Sequence, residues 1–190
     1  MIFLAIAVLL FALVHLIPAL PGPKSRLKDR YGAAYGPLFG LAATITLVAI
    51  ITAWSFTDFK PVFEPAHYAR FLNMAFTFVA FLFLGVFFFR GKLRQKIRFP
   101  FAVAVIFWAI GHLIANGDMA SLILFGGLLI FAVVFIILGV TNQVFPTLIV
   151  REGHDTLSLL AGGSAYIGMV QVHEIFIGVP VIRIEQFFGG

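Results

Sequence analysis

Three histidines within long apolar segments are the residues of this chain best suited to do chemistry: His15, His112 and His173. An ionisable side chain at membrane depth is costly, so it usually faces protein and has a partner. A neutral imidazole is also a good ligand for haem iron. The simpler interpretation of any one of them is an interhelical hydrogen bond, which is common in membrane bundles. Three in one small chain favour a ligand set.

Other chemistry is limited by the residues that the chain lacks. It contains no cysteine, which excludes disulfides, c-type haem attachment, cysteine-ligated iron–sulfur clusters and thiol nucleophiles. The sequence also lacks H-E-x-x-H, G-x-S-x-G, Walker A and dinucleotide-binding motifs. Glu174 follows His173, but adjacent helical positions point about 100° apart, so the two are not expected to ligate together. A metal would therefore be held by histidine, carboxylate or backbone groups, and no catalytic residue is assigned.

The composition indicates the environment in which these histidines lie. Hydrophobic residues make up 62% of the 190 residues and charged residues 11%, against roughly 45–50% and about 25% in soluble domains. We interpret the chain as an integral membrane protein in contact with the lipid bilayer. Its net charge of +5 comes mostly from two short basic blocks between apolar runs, which is typical of membrane topology signals rather than of nucleic-acid binding.

Six apolar segments predict the fold. They cover residues 2–20, 37–56, 71–89, 99–115, 119–140 and 157–182, and several approach the roughly 20 residues of a membrane-spanning helix. The sequence therefore predicts an all-α polytopic transmembrane helix bundle of about six spans, forming a single domain over residues 1–190. The basic blocks at residues 24–30 and 90–98 fall on the same side, which places them in the cytoplasm and the N-terminus outside.

The shortest connection joins the fourth and fifth segments through Asn116, Gly117 and Asp118. It predicts a tight antiparallel helix pair. Asn and Gly tolerate the backbone conformation that ends a helix, and Asp118 can cap the next one, so architecture rather than catalysis explains the turn. Because the fourth segment is short, we expect the turn to lie partly within the membrane, covered by neighbouring protein.

Two other segments carry packing signals. The third segment is crowded with phenylalanine, which favours lipid contact and packing over a wall facing a flat cofactor or a polyene. In the sixth segment, Ala161 and Ala165, and likewise Ser164 and Gly168, are spaced four apart. This spacing predicts the close approach of a neighbouring helix.

The stretch RFPFAVAVIFWAIGHLIANGDMASLILFGGLLIFAVV, residues 98–134, resembles the core of the NnrU-like membrane proteins. Their pattern is a basic residue and proline, a tryptophan-containing helix ending in H-L-x-A-N-G, and then D-x-A-S-x-x-L-F-G. Weaker agreement extends over LVHLIP, RYGAAYGPLFGL and VHEIFIGVPVI. The resemblance covers nearly the whole chain, except that residues 141–156 are less charged than the family pattern.

The resemblance implies two different activities. Bacterial members are associated with nitrite and nitric oxide reductases during denitrification, which implies a bacterial cytoplasmic (inner) membrane. Plant and cyanobacterial relatives are 15-cis-ζ-carotene isomerases that hold a haem b between two histidines. Their ligand positions match His15 and His112 here, with His173 as the alternative ligand. Depth in the membrane favours another pair, because His15 lies near the cytoplasmic end whereas His112 and His173 lie towards the outer face.

These observations give a first hypothesis and an alternative. The first is an NnrU-like membrane protein that supports nitrite and nitric oxide respiration, with haem b as its candidate cofactor and respiratory membrane proteins as candidate partners. The alternative is a haem-dependent cis–trans isomerase of an apolar polyene, so whether the chain is an enzyme stays open. A transporter ranks last because the sequence has no inverted repeat and no pair of broken helices.

Overall fold

The computed structural model describes residues 1–178 and Val181. Its eight α-helices are α1 (Ile2–Leu16), α2 (Pro21–Tyr31), α3 (Tyr35–Ser55), α4 (Ala69–Phe88), α5 (Lys92–Lys96), α6 (Pro100–Ala115), α7 (Met119–Thr141) and α8 (His154–Ile177). Short 3₁₀ turns at Ile17–Ala19 and Gly32–Ala34 flank α2. The described part of the chain contains no β-strand. The predicted all-α fold is confirmed.

Six of these helices correspond to the six apolar segments. Within the described residues, four stretches are long and apolar enough to cross a membrane: Ile2–Ala19, Pro21–Ser55, Ala69–Phe88 and Met119–Thr141. Helix α6 is apolar but has only 16 residues, and α8, with 24 residues, is not among the four. The chain is therefore an integral membrane protein of the helical class. The predicted end of the last segment at residue 182 lies outside the described residues.

The six long helices pack in a row. Helix α1 packs between α3 and α7, α6 between α7 and α4, and α4 between α6 and α8, so the order is α3, α1, α7, α6, α4, α8. The largest buried cluster lies between α1 and α7 and includes Leu4, Phe11, Phe125 and Phe131. Helix α4 therefore stands between the two helices that carry His112 and His173.

Both basic blocks lie at the same end of the row, called here the basic end. The loop that follows α7 joins them. The side-chain amide of Asn142 donates to the carbonyl of Ala19, two residues before the start of α2, at 3.0 Å. The same loop's Arg151 donates its backbone N–H to the carbonyl of Arg90, next to α5, at 2.8 Å. The prediction that both blocks share one side is thus confirmed, while the orientation of that side in the membrane stays a prediction.

Close packing of α4 and α8 depends on Gly85 and Gly162 rather than on the small residues predicted from spacing. A Cβ on Gly162 would lie 2.5 Å from the carbonyl oxygen of Phe81, and one on Gly85 would overlap the carbonyl oxygen of Ser158. The prediction for Ser164, Ala165 and Gly168 was wrong, because these three residues are exposed. The α8 face that meets α4 carries positions 158, 162 and 166, and the predicted pairs lie on another face.

The phenylalanines of α4 serve mostly to pack helices together. Phe76 and Phe83 contact Phe107 of α6 with ring centroids 5.7 Å apart in each case. Phe81 contacts Tyr166 of α8 at 5.9 Å. The preferred interpretation of packing and lipid contact therefore accounts for the phenylalanine-rich sequence of this helix.

Candidate functional site

The turn between α6 and α7 has the predicted architecture. Asp118 is the N-cap of α7, and one carboxylate oxygen accepts the backbone N–H of Ser121 at 2.9 Å. The other accepts the Ser121 hydroxyl at 2.6 Å, and the Asn116 amide donates to that hydroxyl at 3.2 Å. The cap predicted for Asp118 is confirmed, and its polar groups are used within the turn.

A segment from the α3–α4 loop covers this turn. The backbone N–H of Val62 donates to the carbonyl of Gly117 at 2.7 Å, and the N–H of Met119 donates to the carbonyl of Lys60 at 2.9 Å. A Cβ on Gly117 would overlap the carbonyl oxygen of Phe63. Gly117 is not among the positive-φ residues of the described chain. Gly117 is therefore required because another backbone segment approaches it closely. The expectation that it adopts a special backbone conformation to end α6 was wrong.

His112 lies one turn before the end of α6 in a fixed orientation. Its Nδ1 lies 2.8 Å from the carbonyl oxygen of Trp108. Because a carbonyl only accepts, Nδ1 carries the proton and Nε2 keeps its lone pair. The imidazole stacks on Phe125 with ring centroids 4.4 Å apart. Nε2 makes no hydrogen bond to the described residues, so it is free to act as an acceptor or as a metal ligand.

His15 has a similar local arrangement in a different part of the row. Its Nδ1 lies 2.9 Å from the carbonyl oxygen of Phe11, and its ring stacks on Phe11 at 3.8 Å and lies 6.1 Å from Phe101 of α6. Phe101 precedes His112 by eleven residues, or roughly 16 Å along the helix at 1.5 Å per residue. The structure does not bring His15 and His112 together. Their pairing at one haem stays a prediction from the resemblance.

His173 lies at the level of His112, on the other side of α4. Tyr166 of α8 meets Phe78 of α4 at 5.3 Å, and His173 lies two turns further along α8, roughly 10 Å. Helix α4 runs antiparallel to α8, so the same distance along α4 from Phe78 leads to the region of Asn73. Asn73 contacts Gly111, the residue that precedes His112. The structure therefore places His112 and His173 at a similar level of the helix row, with α4 between the helices that carry them.

Asn73 and Thr77 are polar residues of this region that the sequence analysis missed. The Thr77 hydroxyl donates to the side-chain oxygen of Asn73 at 3.0 Å. A Cβ on Gly111 would lie 2.7 Å from that oxygen, so the asparagine packs directly over the glycine beside His112. An asparagine in a phenylalanine-rich membrane helix is the signal that could have identified it.

An apolar groove lies away from the His112–His173 region. It has a volume of about 330 Å³ and runs between α1 and α7, from Ala5 to Leu16 on α1 and from Ile123 to Val134 on α7. Its length is roughly 16 Å at 1.5 Å per residue. Phe131 lines it and contacts the ring of His15, with centroids 6.1 Å apart. Within the described chain, no three His, Cys, Asp or Glu side chains cluster as a metal site.

Taken together, the apolar helices and their packing in a row define an all-α integral membrane protein. The family model described as "NnrU protein" matches residues 3–181. The chain belongs to the NnrU family. No curated protein and no solved structure matches it.

Proposed function

We propose that this protein is a haem-b-binding component of the bacterial cytoplasmic membrane that supports nitrite and nitric oxide respiration. Two findings support the proposal: membership of the NnrU family over residues 3–181, and the neutral His112 imidazole whose Nε2 is left available at membrane depth. The orientation of His112 is the observation that carries the haem part of the proposal. The respiratory part rests on the family.

His112 would be a suitable ligand for haem iron. A ligating histidine usually donates its second ring N–H to a carbonyl or a carboxylate, which fixes the tautomer and makes the ligand more basic. The bond to Trp108 provides this arrangement, and the stacked Phe125 ring holds the imidazole in place.

His173 is the second ligand in this proposal. The contacts along α4 place it at the level of His112, whereas His15 lies beside Phe101, about 16 Å from His112 along α6 at 1.5 Å per residue. Two residues that held one haem would lie at a similar level of the bundle, so we prefer His173 to His15. His15 retains the local features of a ligand, and the resemblance keeps it as the alternative.

A haem held here would supply one-electron chemistry to a respiratory membrane. The chain's own contribution would be to orient the two imidazoles, to keep them neutral and to exclude water with the packed helices α4, α6 and α7. The segment 60–63 over the turn closes this region towards the end opposite the basic end.

An absorption experiment tests the haem proposal. The detergent-purified protein is measured oxidised and dithionite-reduced, with a pyridine haemochrome assay for stoichiometry. The set comprises wild type, His112→Ala, His173→Ala and His15→Ala, with His154→Ala as the matched control at the basic end of α8. We expect a b-type spectrum in wild type, lost in the first two variants and kept in the last two.

Two results would count against this proposal. Loss of haem in His15→Ala with retention in His173→Ala would replace the second ligand and restore the pair implied by the resemblance. A colourless wild type that haemin cannot reconstitute would return all three histidines to packing roles. The respiratory role is tested separately by deleting the gene, where unchanged nitrite and nitric oxide reductase activities under low oxygen would refute it.

A second candidate, a haem-dependent cis–trans isomerase of a polyene, is supported by the groove between α1 and α7. The groove is apolar, elongated and adjacent to the ring of His15 through Phe131. An extended polyene fits such a shape, as does a lipid acyl chain. Expressing the haem-loaded protein with tri-cis ζ-carotene tests this candidate, and an unchanged isomer composition would rule it out.

A further inference from the structure

The groove between α1 and α7 is a shaped space that the histidines of α6 and α8 do not use. All of its lining residues are apolar, and three of them, Ala5, Ala12 and Gly127, have a small side chain or none. The two helices touch beneath it, since a Cβ on Gly127 would lie 2.7 Å from Cγ1 of Val8. The walls of such a groove lose dispersion contacts unless apolar atoms fill it. An apolar chain is therefore its expected occupant.

The groove is about as long as one membrane leaflet is deep. It runs from Leu16 to Ala5 along α1, roughly 16 Å at 1.5 Å per residue. A hydrocarbon core of about 30 Å contains two leaflets, so each leaflet is about 15 Å deep. Leu16 directly precedes the turn Ile17–Ala19, whose last carbonyl accepts the side-chain amide of Asn142 at the basic end. A lipid acyl chain in the leaflet at the basic end would therefore fill the groove.

Helix α2 brings positive charge to that end of the groove. Both α2 and α7 pack against the turn Ile17–Ala19, which ends α1. Helix α2 contains four basic residues and one acidic residue, Asp29, and it buries none of its residues. The other basic block lies further away, because α5 packs against α4 and α8 at the opposite end of the row. The groove therefore has the charge of α2 beside it, and not that of α5.

Two lysines of α2 are spaced so that they can bind one phosphate group. Lys24 and Lys28 are one helical turn apart, which places them on the same face of the helix. Lysine binds phosphate as a point charge. Clusters of basic residues directly after a membrane-spanning helix attract anionic lipids. A zwitterionic lipid or an uncharged polyene would gain nothing from this excess of positive charge.

We infer that the protein binds one anionic phospholipid, with an acyl chain in the groove between α1 and α7 and the phosphate at Lys24 and Lys28. The inference goes beyond the proposed function and does not depend on haem. It assigns the groove to a lipid, whereas the second candidate function assigns it to a polyene. The charge of the headgroup distinguishes the two occupants.

Mass spectrometry of the intact protein, released from detergent, tests the inference by counting bound lipids. The delipidated protein is titrated with dioleoyl phosphatidylglycerol and with dioleoyl phosphatidylcholine, which has the same acyl chains and no net charge. We expect one phosphatidylglycerol to bind roughly tenfold more tightly than phosphatidylcholine, since each basic residue near an anionic headgroup contributes a factor of roughly five. The variant Lys24→Gln/Lys28→Gln should lose most of this preference and bind phosphatidylcholine like wild type.

A variant with a filled groove tests the position of the acyl chain. Ala5 is exposed and lines the groove, so Ala5→Phe should weaken the binding of both lipids. Ala12→Leu fills the same groove with a smaller side chain and is the second variant if Ala5→Phe does not fold. Ala165→Phe is the matched control, because Ala165 is an exposed alanine of α8 away from the groove. It should bind both lipids like wild type.

The charge variant also has a matched control. Lys92 and Lys96 of α5 are exposed, are likewise one helical turn apart and belong to the other basic block. Lys92→Gln/Lys96→Gln removes the same charge from the same end of the protein. This variant should keep the preference for phosphatidylglycerol.

Four outcomes would overturn the inference. Equal binding of the two lipids by wild type would show that the groove takes an apolar chain without regard to charge, as a polyene site would. Equal losses in the two lysine variants would indicate attraction to the whole basic end instead of a site at α2. Unchanged lipid binding in both groove variants would place the lipid elsewhere. A dimeric wild type that Ala5→Phe makes monomeric without affecting lipid binding would assign the groove to a second copy of the chain.

Discussion

Replacing Gly117 by alanine should detach the α3–α4 loop from the α6–α7 turn. The new Cβ would overlap the carbonyl oxygen of Phe63, and it would lie 2.9 Å from the carbonyl carbon of Phe63 and 3.0 Å from Cδ of Pro65. Backbone atoms cannot rotate away, so the segment must move. Its movement breaks the hydrogen bonds from Val62 and Phe63 to the Gly117 carbonyl, at 2.7 and 3.1 Å. Each contributes about 0.5–1.5 kcal/mol.

The expected loss of unfolding free energy is about 2–6 kcal/mol, since overpacking adds about 1–3 kcal/mol to the two lost hydrogen bonds. SDS titration of the protein in mild detergent, followed by circular dichroism, measures this loss. Gly126→Ala in α7 is the control, because a Cβ there meets no atom within 4 Å and should stabilise the helix by up to about 1 kcal/mol. A Gly117→Ala protein within about 0.5 kcal/mol of wild type, roughly the spread of a neutral substitution, would refute the close approach.

Three further predictions use the same titration. Asp118→Ala removes the N-cap of α7 and should cost about 1–2 kcal/mol, whereas Asp118→Asn should cost less; equal stability of alanine and wild type would contradict the cap. Gly162→Ala should cost about 1–3 kcal/mol because its Cβ would lie 2.5 Å from the Phe81 carbonyl oxygen. The neighbouring Gly163→Ala meets open space and, like Gly126→Ala, should stabilise the helix by up to about 1 kcal/mol. Gly111→Ala should separate α4 from α6, lowering stability by about 1–3 kcal/mol and also lowering haem content; a stable variant with full haem would argue against the tight contact.

Local features of the chain were predictable because their causes are local. Long apolar runs fix the helices through the cost of placing backbone in lipid. The six segments reappear within a few residues of their predicted bounds, apart from the end predicted at residue 182, which lies outside the described residues. The same holds for Asp118, whose cap depends on a serine only three residues away. The position of the two basic blocks at one end of the row likewise follows from the alternating direction of successive helices along the chain.

Contacts between distant segments were not predictable. Whether His173 lies at the same level as His112 depends on the position of α8 along the axis of α4. Backbone contacts at Gly85 and Gly162 fix that position. Helical spacing marked several small residues of α8 equally well, and it could not show which face α4 covers. Asn73 was missed for the same reason, because its importance comes from a glycine 38 positions further along the chain.

The short length of α6 explains why the turn between α6 and α7 is covered by another segment of the chain. Its 16 residues span roughly 24 Å, less than the about 30 Å of a hydrocarbon core, so the turn after Ala115 falls short of the ends of longer neighbours. Backbone groups at that depth need protein partners, and residues 60–63 supply them through Gly117 and Met119. The covering segment therefore explains how α6 can be short while the residues that follow it keep their backbone groups hydrogen-bonded.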